Sequence, residues 1–164
     1  MRSPGRGSNK CWVLSDEPRP VTTEERPGLS MAVATKIDHI AIAVTDLDAA
    51  VQRFTANFGF PVEGFGDVPA LHIRRAFLRI GDAALELFQP TSKSNPATKF
   101  LGERGEGMYI LSLEVDDLNA ARDALAGKDI AVNIQDVPNG PRLGFISPKV
   151  THGVLLQLIE HPKA

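Results

Sequence analysis

Three residues carry side chains that could hold or move a proton within apolar surroundings: His39, Glu86 and Gln157. His39 begins the run HIAIAV, which as a strand has one β-branched face and one face of His, Ala and Ala. Glu86 lies between Leu85 and Leu87 and points away from them, toward a cavity or toward solvent. Histidine and carboxylate are common general acids and bases, and the Gln157 amide could orient a substrate carbonyl or hydrogen-bond Glu86.

The positions of these residues follow an internal repeat. The segment 36–54, KIDHIAIAVTDLDAAVQRF, recurs 71 positions later as MYILSLEVDDLNAARDAL, so that His39 corresponds to Ile110. The same offset places Glu86 on Gln157. A repeat predicts two modules of one design, and we expect the two corresponding polar residues to face each other across a cavity.

Hydrophobic periodicity and turn residues predict the same elements in each module. In module one, about residues 36–90, a strand precedes a helix that Asp46 caps and Gly59 ends, and a short strand and a hairpin follow. Residues 90–107 form a connector with a short helix, and module two, about residues 108–161, repeats the pattern. We expect an α+β fold of paired βαβββ modules, with a cupped mixed sheet, helices outside and the site inside the cup.

Length and composition narrow the class of protein. The 164 residues have a formal net charge of -2 and are 43% hydrophobic, which predicts one soluble domain over residues 35–164 without a nucleic-acid or membrane partner. The single cysteine, Cys11, excludes an internal disulfide framework and favours a cytoplasmic location. Residues 1–34 have no hydrophobic period and many Pro, Gly, Ser and charged residues, which predicts a flexible N-terminal arm.

Five segments carry a resemblance to a known family. They read HIAIAVTDL, AFLRIGDAALELFQP, NPATKFLGERGEGMYI, EVDDL and PKVTHGVLLQL, and they extend from about residue 36 to residue 160. These motifs resemble the vicinal oxygen chelate superfamily, which includes glyoxalase I, extradiol dioxygenases, bleomycin-binding proteins and methylmalonyl-CoA epimerase. The KFL and GEG parts of the connector are most similar to the epimerase branch.

The resemblance implies a divalent metal held by a strand-one His, a third-strand Gln or His, a second-module His and a last-strand Glu. These positions fall on His39, Leu71, Ile110 and Gln157, so that only the first keeps its ligand. The loss of an imidazole and the exchange of carboxylate for amide weaken such a site. We therefore expect no tightly bound cofactor, and at most a weak divalent metal at His39, Glu86 and Gln157.

Four residues near the expected cavity are candidates for substrate binding: His72, Arg75, Phe77 and Ile110. Ile110 makes the cavity more apolar, and Phe77 offers an aromatic surface. His72 is placed equally well in the cavity or on the surface. Arg75, with Arg74 and Arg79, could hold a phosphate or carboxylate of an acyl-CoA, or could belong to a solvated strand face.

The resemblance and the acid–base residues together predict an isomerase/epimerase or a lyase/cyclase. It would act beside a carbonyl of an acyl thioester or a polyketide-like small molecule without a tightly bound metal. Glu86 is the expected base, and His39 or Gln157 would donate a hydrogen bond to the enolate oxygen. The alternative is a non-catalytic antibiotic-binding protein of the bleomycin-resistance type. In either case we expect a small-molecule partner and, because sheet edges are exposed, a homodimer.

Overall fold

The computed structural model describes residues 32–138 and 140–162. The predicted flexible arm, residues 1–34, lies outside the described residues except for its last three. Of these, Val33 and Ala34 pack against an apolar cluster of module two. Among the described residues, no helix is both long and apolar enough to cross a membrane.

The helices and strands appear in the predicted order. Module one contains β1 (Lys36–Ala43), α1 (Leu47–Phe58), β2 (Val62–Val68), β3 (Ile73–Ile80) and β4 (Ala83–Pro90), with a 3-10 turn at Pro69–Leu71. The connector contains α2 (Pro96–Arg104). Module two contains β5 (Gly107–Glu114), α3 (Leu118–Ala126), β6 (Val132–Asp136), β7 (Arg142–Ile146) and β8 (Leu155–Glu160).

The predicted helix ends are confirmed. The Asp46 carboxylate accepts the backbone N–H of Ala49 at the start of α1, and Gly59 ends this helix with a left-handed φ of 69°. Asp117 caps α3 in the same way by accepting the N–H groups of Asn119 and Ala120. Because these local signals agree with the apolar periodicity, the positions of α1 and α3 follow from the sequence.

The two modules join in one eight-stranded mixed sheet of order β2-β3-β4-β1-β5-β8-β7-β6. Strand β1 runs parallel to β4, and β5 runs parallel to β8; β1 and β5 pair antiparallel and join the modules. His39 pairs with Ala84, and its repeat equivalent Ile110 pairs with Leu155, so both modules have the same register. The sheet edges are β2 and β6, and the homodimer expected from exposed edges stays a prediction.

Contacts between the last strand and the helix of each module also obey the repeat. The Gln89 side-chain oxygen accepts the Leu47 N–H at 3.1 Å, and the Glu160 carboxylate accepts the Leu118 N–H at 2.9 Å. Both pairs are related by the offset of 71 positions. Each contact satisfies a backbone donor that the helix itself leaves unpaired, and so fixes the helix start against the sheet.

Apolar side chains cover the sheet on both faces. Helix α1 packs on the outer face of module one and α3 packs on the outer face of module two. The concave face, opposite α1 and α3, is partly covered by α2, whose Ala97, Phe100 and Leu101 belong to a cluster with Ala43 and Phe88. This packing leaves the part of the concave face around His39 to polar side chains.

Candidate active site

Four buried polar residues lie together on the concave face: His39, Glu86, Ser112 and Gln157. Their exposed fractions are 4%, 6%, 0% and 6%, and they are the buried polar residues of the described part of the chain. The strand register brings them together, because Glu86 pairs with Ala41, and Ser112 pairs with both His39 and Gln157. Burying four polar groups is unfavourable unless they find partners, so this patch is a candidate site.

The centre of the patch is an ion pair between His39 and Glu86. The His39 Nε2 atom lies 3.1 Å from the Glu86 Oε2 atom, and Arg75 donates from its Nη1 to the other Glu86 oxygen at 3.2 Å. Phe77, the cross-strand partner of Glu86, packs edge-on against the His39 ring with centroids 5.6 Å apart. The Arg75 guanidinium lies 5.0 Å from the Phe77 ring centroid. The Glu86 carboxylate is therefore held between two nitrogen donors.

A β-bulge adds a second carboxylate to His39. Ile37 pairs with Leu113 and His39 with Ser112, so Asp38 is an extra residue in β1. A bulge turns successive side chains toward the same side, whereas a regular strand would separate them. The Asp38 Oδ1 atom consequently lies 2.5 Å from the His39 Nδ1 atom. The other Asp38 oxygen lies 2.6 Å from the Nε2 atom of His161, which follows β8.

These contacts determine the charge of His39. Burial opposes its protonation, but the hydrogen bonds and negative charges of Asp38 and Glu86 outweigh burial and raise its pKa from 6.5 to about 9. Burial likewise opposes the charged form of Asp38, but its hydrogen bonds to His39 and His161 lower its pKa to about 2. This raised pKa favours the protonated ring at neutral pH, in which each ring nitrogen carries an N–H.

The module-two side of the patch is neutral. The Ser112 hydroxyl donates to the Gln157 Oε1 atom at 2.9 Å. This bond leaves the Gln157 NH2 group without a protein acceptor in the described part of the chain, so its two N–H donors are available to a ligand. Glu86 and Gln157, which the repeat relates, therefore provide different chemistry: one is a carboxylate between cations and the other is a neutral hydrogen-bond donor.

The side chains at these positions do not fit a divalent metal. Leu71 and Ile110 have no donor atom, and they pack against the apolar cluster of the concave face. Both nitrogens of His39 lie near carboxylates, and a metal would have to displace the proton of a protonated imidazole. The Gln157 oxygen already accepts the Ser112 hydroxyl. The absence of a tightly bound metal stays a prediction, now supported by the state of each donor.

The candidate binding residues separate into two groups. Arg75 and Phe77 contact Glu86 and His39, and Ile110 lies opposite Ala41 on the concave face. His72 is exposed and has a left-handed φ of 52° at the end of the 3-10 turn. Its role in binding, like those of the other three, stays a prediction.

Two open cavities of about 510 Å³ each flank the polar patch. The first lies between β2, β3 and the start of α1, and its lining includes Arg74 and Arg75, the latter in contact with Glu86. The second lies in module two and is lined by Phe145, which pairs with Gln157, and by apolar neighbours.

Sequence reasoning missed Asp38, Ser112 and His161. Regular alternation places Asp38 on the face opposite His39, and no residue type in HIAIAV signals the bulge. Ser112 carried a usable signal, because it is a polar residue at the repeat position of Ala41 in a buried strand. His161 reaches Asp38 only through the pairing of β8 with β5 and of β5 with β1.

Comparisons with known proteins agree with this structure. Residues 38–146 match the family described as the Glyoxalase/Bleomycin resistance protein/Dioxygenase superfamily. Human mitochondrial methylmalonyl-CoA epimerase is 31% identical over 127 residues, which cover 75% of this chain and 72% of that protein. A crystal structure of methylmalonyl-CoA epimerase from Mycobacterium tuberculosis has a TM-score of 0.76 at 30% identity, covering 83% of this chain and 94% of that one.

A further solved methylmalonyl-CoA epimerase, in complex with methylmalonyl-CoA and NH4+, has a TM-score of 0.73 at 32% identity. It covers 78% of this chain and 95% of that one. The predicted resemblance and fold class are thus confirmed. The chain belongs to the glyoxalase/bleomycin resistance protein/dioxygenase superfamily.

Proposed function

We propose that this chain is an isomerase of the epimerase type, which removes and returns a proton at the carbon α to the thioester of an acyl-CoA. The observation that carries this proposal is the buried contact of 3.1 Å between His39 and Glu86. It places an acid and a base side by side on the concave face. The similarity to methylmalonyl-CoA epimerases supports the same reaction class.

Glu86 is the base in this proposal. One of its oxygens accepts an N–H of Arg75 and the other lies 3.1 Å from the His39 Nε2 atom, and a carboxylate has further lone pairs that can accept the α proton. A carboxylate is a weak base, so the substrate must have an activated α proton. A second carbonyl or a carboxylate neutralised by Arg75 on the same carbon would provide this activation. The expected substrate class is a 2-carboxyacyl thioester.

His39 and Gln157 act on the developing enolate. When the C–H bond breaks, its electron pair moves toward the thioester carbonyl and negative charge develops on the oxygen. The Gln157 NH2 group is the donor available for that oxygen, and the His39 imidazolium contributes its positive charge. If the planar enolate turns its other face toward the ring, return of a proton from the His39 imidazolium to the carbon gives the epimer and leaves neutral His39 beside protonated Glu86. Proton transfer between these two groups then restores the site.

A protonated His39 could supply the positive charge that a divalent metal would otherwise supply in this fold. It is fixed by two carboxylates and buried among apolar side chains, where charge interacts more strongly than in water. The ammonium ion in the methylmalonyl-CoA complex of one relative is likewise a monovalent N–H donor.

The module-two cavity supports the second candidate function, sequestration of an apolar small molecule. Seven residues line this cavity and none is charged: Ala131, Val132, Asn133, Phe145, Ile146, Ser147 and Leu155. A guest without a reactive α carbon could bind there by apolar contact alone. In that case the His39–Glu86 pair would fix the fold rather than act on substrate.

Solvent exchange at the α carbon tests both functions. The protein is incubated in D2O with methylmalonyl-CoA, with and without Co²⁺, and deuterium uptake is followed by mass spectrometry. We expect uptake without added metal and a decrease of about 100-fold or more in Glu86→Gln. The matched control is Glu63→Gln, an exposed carboxylate that pairs with Arg79 at 2.7 Å, and it should exchange normally.

Two results would overturn the epimerase proposal. One is a folded wild-type protein that gives no uptake with malonyl-type thioesters. The other is an unchanged rate in Glu86→Gln. Absence of uptake together with saturable binding of a hydrophobic antibiotic would favour sequestration instead.

A further inference from the structure

We infer that the module-two part of the concave face is a specificity pocket for the substituent on the α carbon, and that it selects an alkyl chain longer than methyl. This pocket is the open cavity of about 510 Å³ whose lining residue Phe145 pairs with Gln157. The inference rests on the proposed function, because it names the substrate class of the same site. Binding to the pocket can be measured without turnover.

The two polar residues that the repeat relates each have a phenylalanine on the neighbouring strand. Phe77 pairs with Glu86, and Phe145 pairs with Gln157. Directly paired residues point to the same face of a sheet, so both rings lie on the concave face beside the polar patch. Each module thus places one aromatic side chain at the border of the site.

The two rings differ in their contacts. The Phe77 ring packs edge-on against His39, and the Arg75 guanidinium lies 5.0 Å from its centroid. The Phe145 ring is half-buried and has no aromatic or cationic partner in the described part of the chain. It therefore leaves an apolar ring surface open to a ligand, whereas the Phe77 ring is already covered.

The residues beside the two rings make module one cationic and module two neutral. Two residues before each ring, on the same face, module one has Arg75 and module two has Leu143. Two residues after each ring, module one has Arg79 and module two has Ser147. The first side matches the carboxylate of a 2-carboxyacyl thioester, and the second, whose cavity lining has no charged residue, matches an apolar group.

Leu155 determines the length of substituent that the pocket accepts. It lies two residues before Gln157 on the same face of β8, about 7 Å away along the strand. Its half-buried side chain lines the cavity together with Phe145. A methyl group on an α carbon beside Gln157 does not span this distance. An unbranched chain of about four carbons, with C–C bonds of about 1.5 Å, brings its end into contact with Leu155.

The connector helix leaves this part of the concave face open. Helix α2 packs on the concave face in a cluster with Ala43 and Phe88 of module one. Phe145 and Leu155 belong to none of the three apolar clusters formed by the described residues. Apolar surface that is open beside a polar patch gains free energy when an alkyl chain covers it, so the α substituent is the occupant that we assign to the pocket.

A series of substrates measures the length preference. Exchange of the α proton is followed in D2O with methyl-, ethyl-, butyl- and hexylmalonyl-CoA. We expect kcat/KM to rise about 10-fold or more from the methyl to the butyl thioester, because each added methylene is buried in the pocket. Calorimetric titration of the same thioesters into Glu86→Gln, in which turnover is blocked, should give the same order of affinity.

Substitutions in the pocket test its location. Leu155→Trp fills the far end and should lower the butyl-to-methyl ratio of kcat/KM about 10-fold. Phe145→Leu removes the ring but keeps an apolar side chain, and should lower this ratio less. The matched control is Phe58→Leu, the same substitution at a residue that is 61% exposed at the end of α1, and it should leave the ratio unchanged.

NMR of the full chain locates the substituent directly. Butylmalonyl-CoA with a ¹³C-labelled terminal methyl group is added to Glu86→Gln. We expect nuclear Overhauser effects from this methyl group to the Leu155 methyl groups and the Phe145 ring protons. Contacts of Leu155 with the pantetheine arm instead would show that the cavity holds the CoA part, and would overturn the inference.

Failure of the pocket and failure of the proposed function give different results. Exchange that is fastest with methylmalonyl-CoA, or an unchanged ratio in folded Leu155→Trp, overturns the pocket and leaves the epimerase proposal standing. Equal binding of all four thioesters also overturns it, as when a second copy of the chain covers this face. Tighter binding of the butyl than of the methyl thioester, without exchange of either, upholds the pocket and rejects the epimerase function. Circular dichroism recognises an unfolded Leu155→Trp, and Phe145→Leu then decides.

Discussion

Asp38 and Tyr109 are the extra residues of two β-bulges in the same strand pair, and they occupy equivalent positions of the repeat. Asp38 is inserted in β1 between Ile37 and His39, and Tyr109 interrupts the pairing of β5 with Ala41 and Ile42. The Tyr109 ring packs against the rings of Phe88 and Phe100 under α2. The same kind of bulge thus occurs once in each module. In β1 it brings Asp38 to His39, and in β5 it brings Tyr109 under the connector helix α2.

Restoring two of the three missing ligands should raise metal affinity. Ile110→His combined with Gln157→Glu adds an imidazole and a carboxylate at the positions where the superfamily resemblance implies them. We expect the double variant to bind Co²⁺ about 100-fold or more tightly than the wild type, because anionic and imidazole donors dominate the affinity for divalent ions. Isothermal titration calorimetry at pH 7.5 measures this change.

The control for this prediction is Gln157→Glu alone, which keeps the apolar corner at Ile110. It should gain much less affinity than the double variant. Stoichiometric Co²⁺ binding by the wild type at micromolar concentration would contradict the description of His39 as a ring whose two nitrogens are already engaged.

The free energy of unfolding should depend on pH through the protonation of the His39 ring. The pKa of His39 is raised from 6.5 to about 9, so its contribution is fully present below pH 6.5 and is lost as the pH rises through 9. The loss amounts to at most about 3 kcal/mol of unfolding free energy. Urea unfolding between pH 6 and pH 10 measures it, and His39→Gln should flatten the alkaline decrease.

Asp38 should change the free energy of unfolding at acidic pH. Its pKa is lowered from 3.8 to about 2, so its contribution is present above pH 3.8 and is lost as the pH falls toward 2. Both groups are therefore fully effective between about pH 4 and pH 6.5. A wild-type protein that is most stable above pH 9 would contradict the assignment of His39 as a buried cation.

The sequence predicts the fold better than the site, and the difference has a physical cause. The sequence contains local signals for the fold: the hydrophobic periods of strands and helices and the helix caps Asp46 and Asp117. It also contains the internal repeat, and the structure confirms the elements that these signals predict. The sequence places His39 on the small-residue face but leaves Glu86 between cavity and solvent, and their contact depends on the parallel pairing of β1 with β4. The Asp38 bulge and the position of His161 depend on strand register and on a chain end, which periodicity does not encode.

Arg75 should contribute to binding of an anionic substrate. It contacts Glu86, lies over the Phe77 ring and lines the first cavity, with a side chain one-third exposed. Arg75→Gln should raise KM for a 2-carboxyacyl-CoA about 10-fold. This factor corresponds to the loss of one charge-assisted hydrogen bond, which contributes about 1.5 kcal/mol to binding. The effect on a thioester without the carboxylate should be much smaller.

The matched control is Arg79→Gln, four residues further along the same face of β3. Arg79 pairs with the exposed Glu63 at 2.7 Å, and its removal should leave KM nearly unchanged. Equal effects of the two substitutions would indicate a general electrostatic influence of β3 rather than a specific contact. Steady-state kinetics at two salt concentrations separates these cases, because exposed charges are screened by salt.

Gly144 is required by the packing of α3 on β7. A Cβ atom at this position would lie 2.7 Å from Val132 Cγ1 and 2.8 Å from Leu118 Cδ1. Leu118 is fully buried at the start of α3 and cannot move without displacing that helix. Gly144→Ala should therefore lower the unfolding free energy by about 1–3 kcal/mol.

In β2, by contrast, a Cβ on Gly64 meets no atom within 4 Å, so Gly64→Ala should change stability by less than about 0.5 kcal/mol. Denaturant titration compares the two variants, and equal stabilities would show that α3 can shift away from the sheet at little cost.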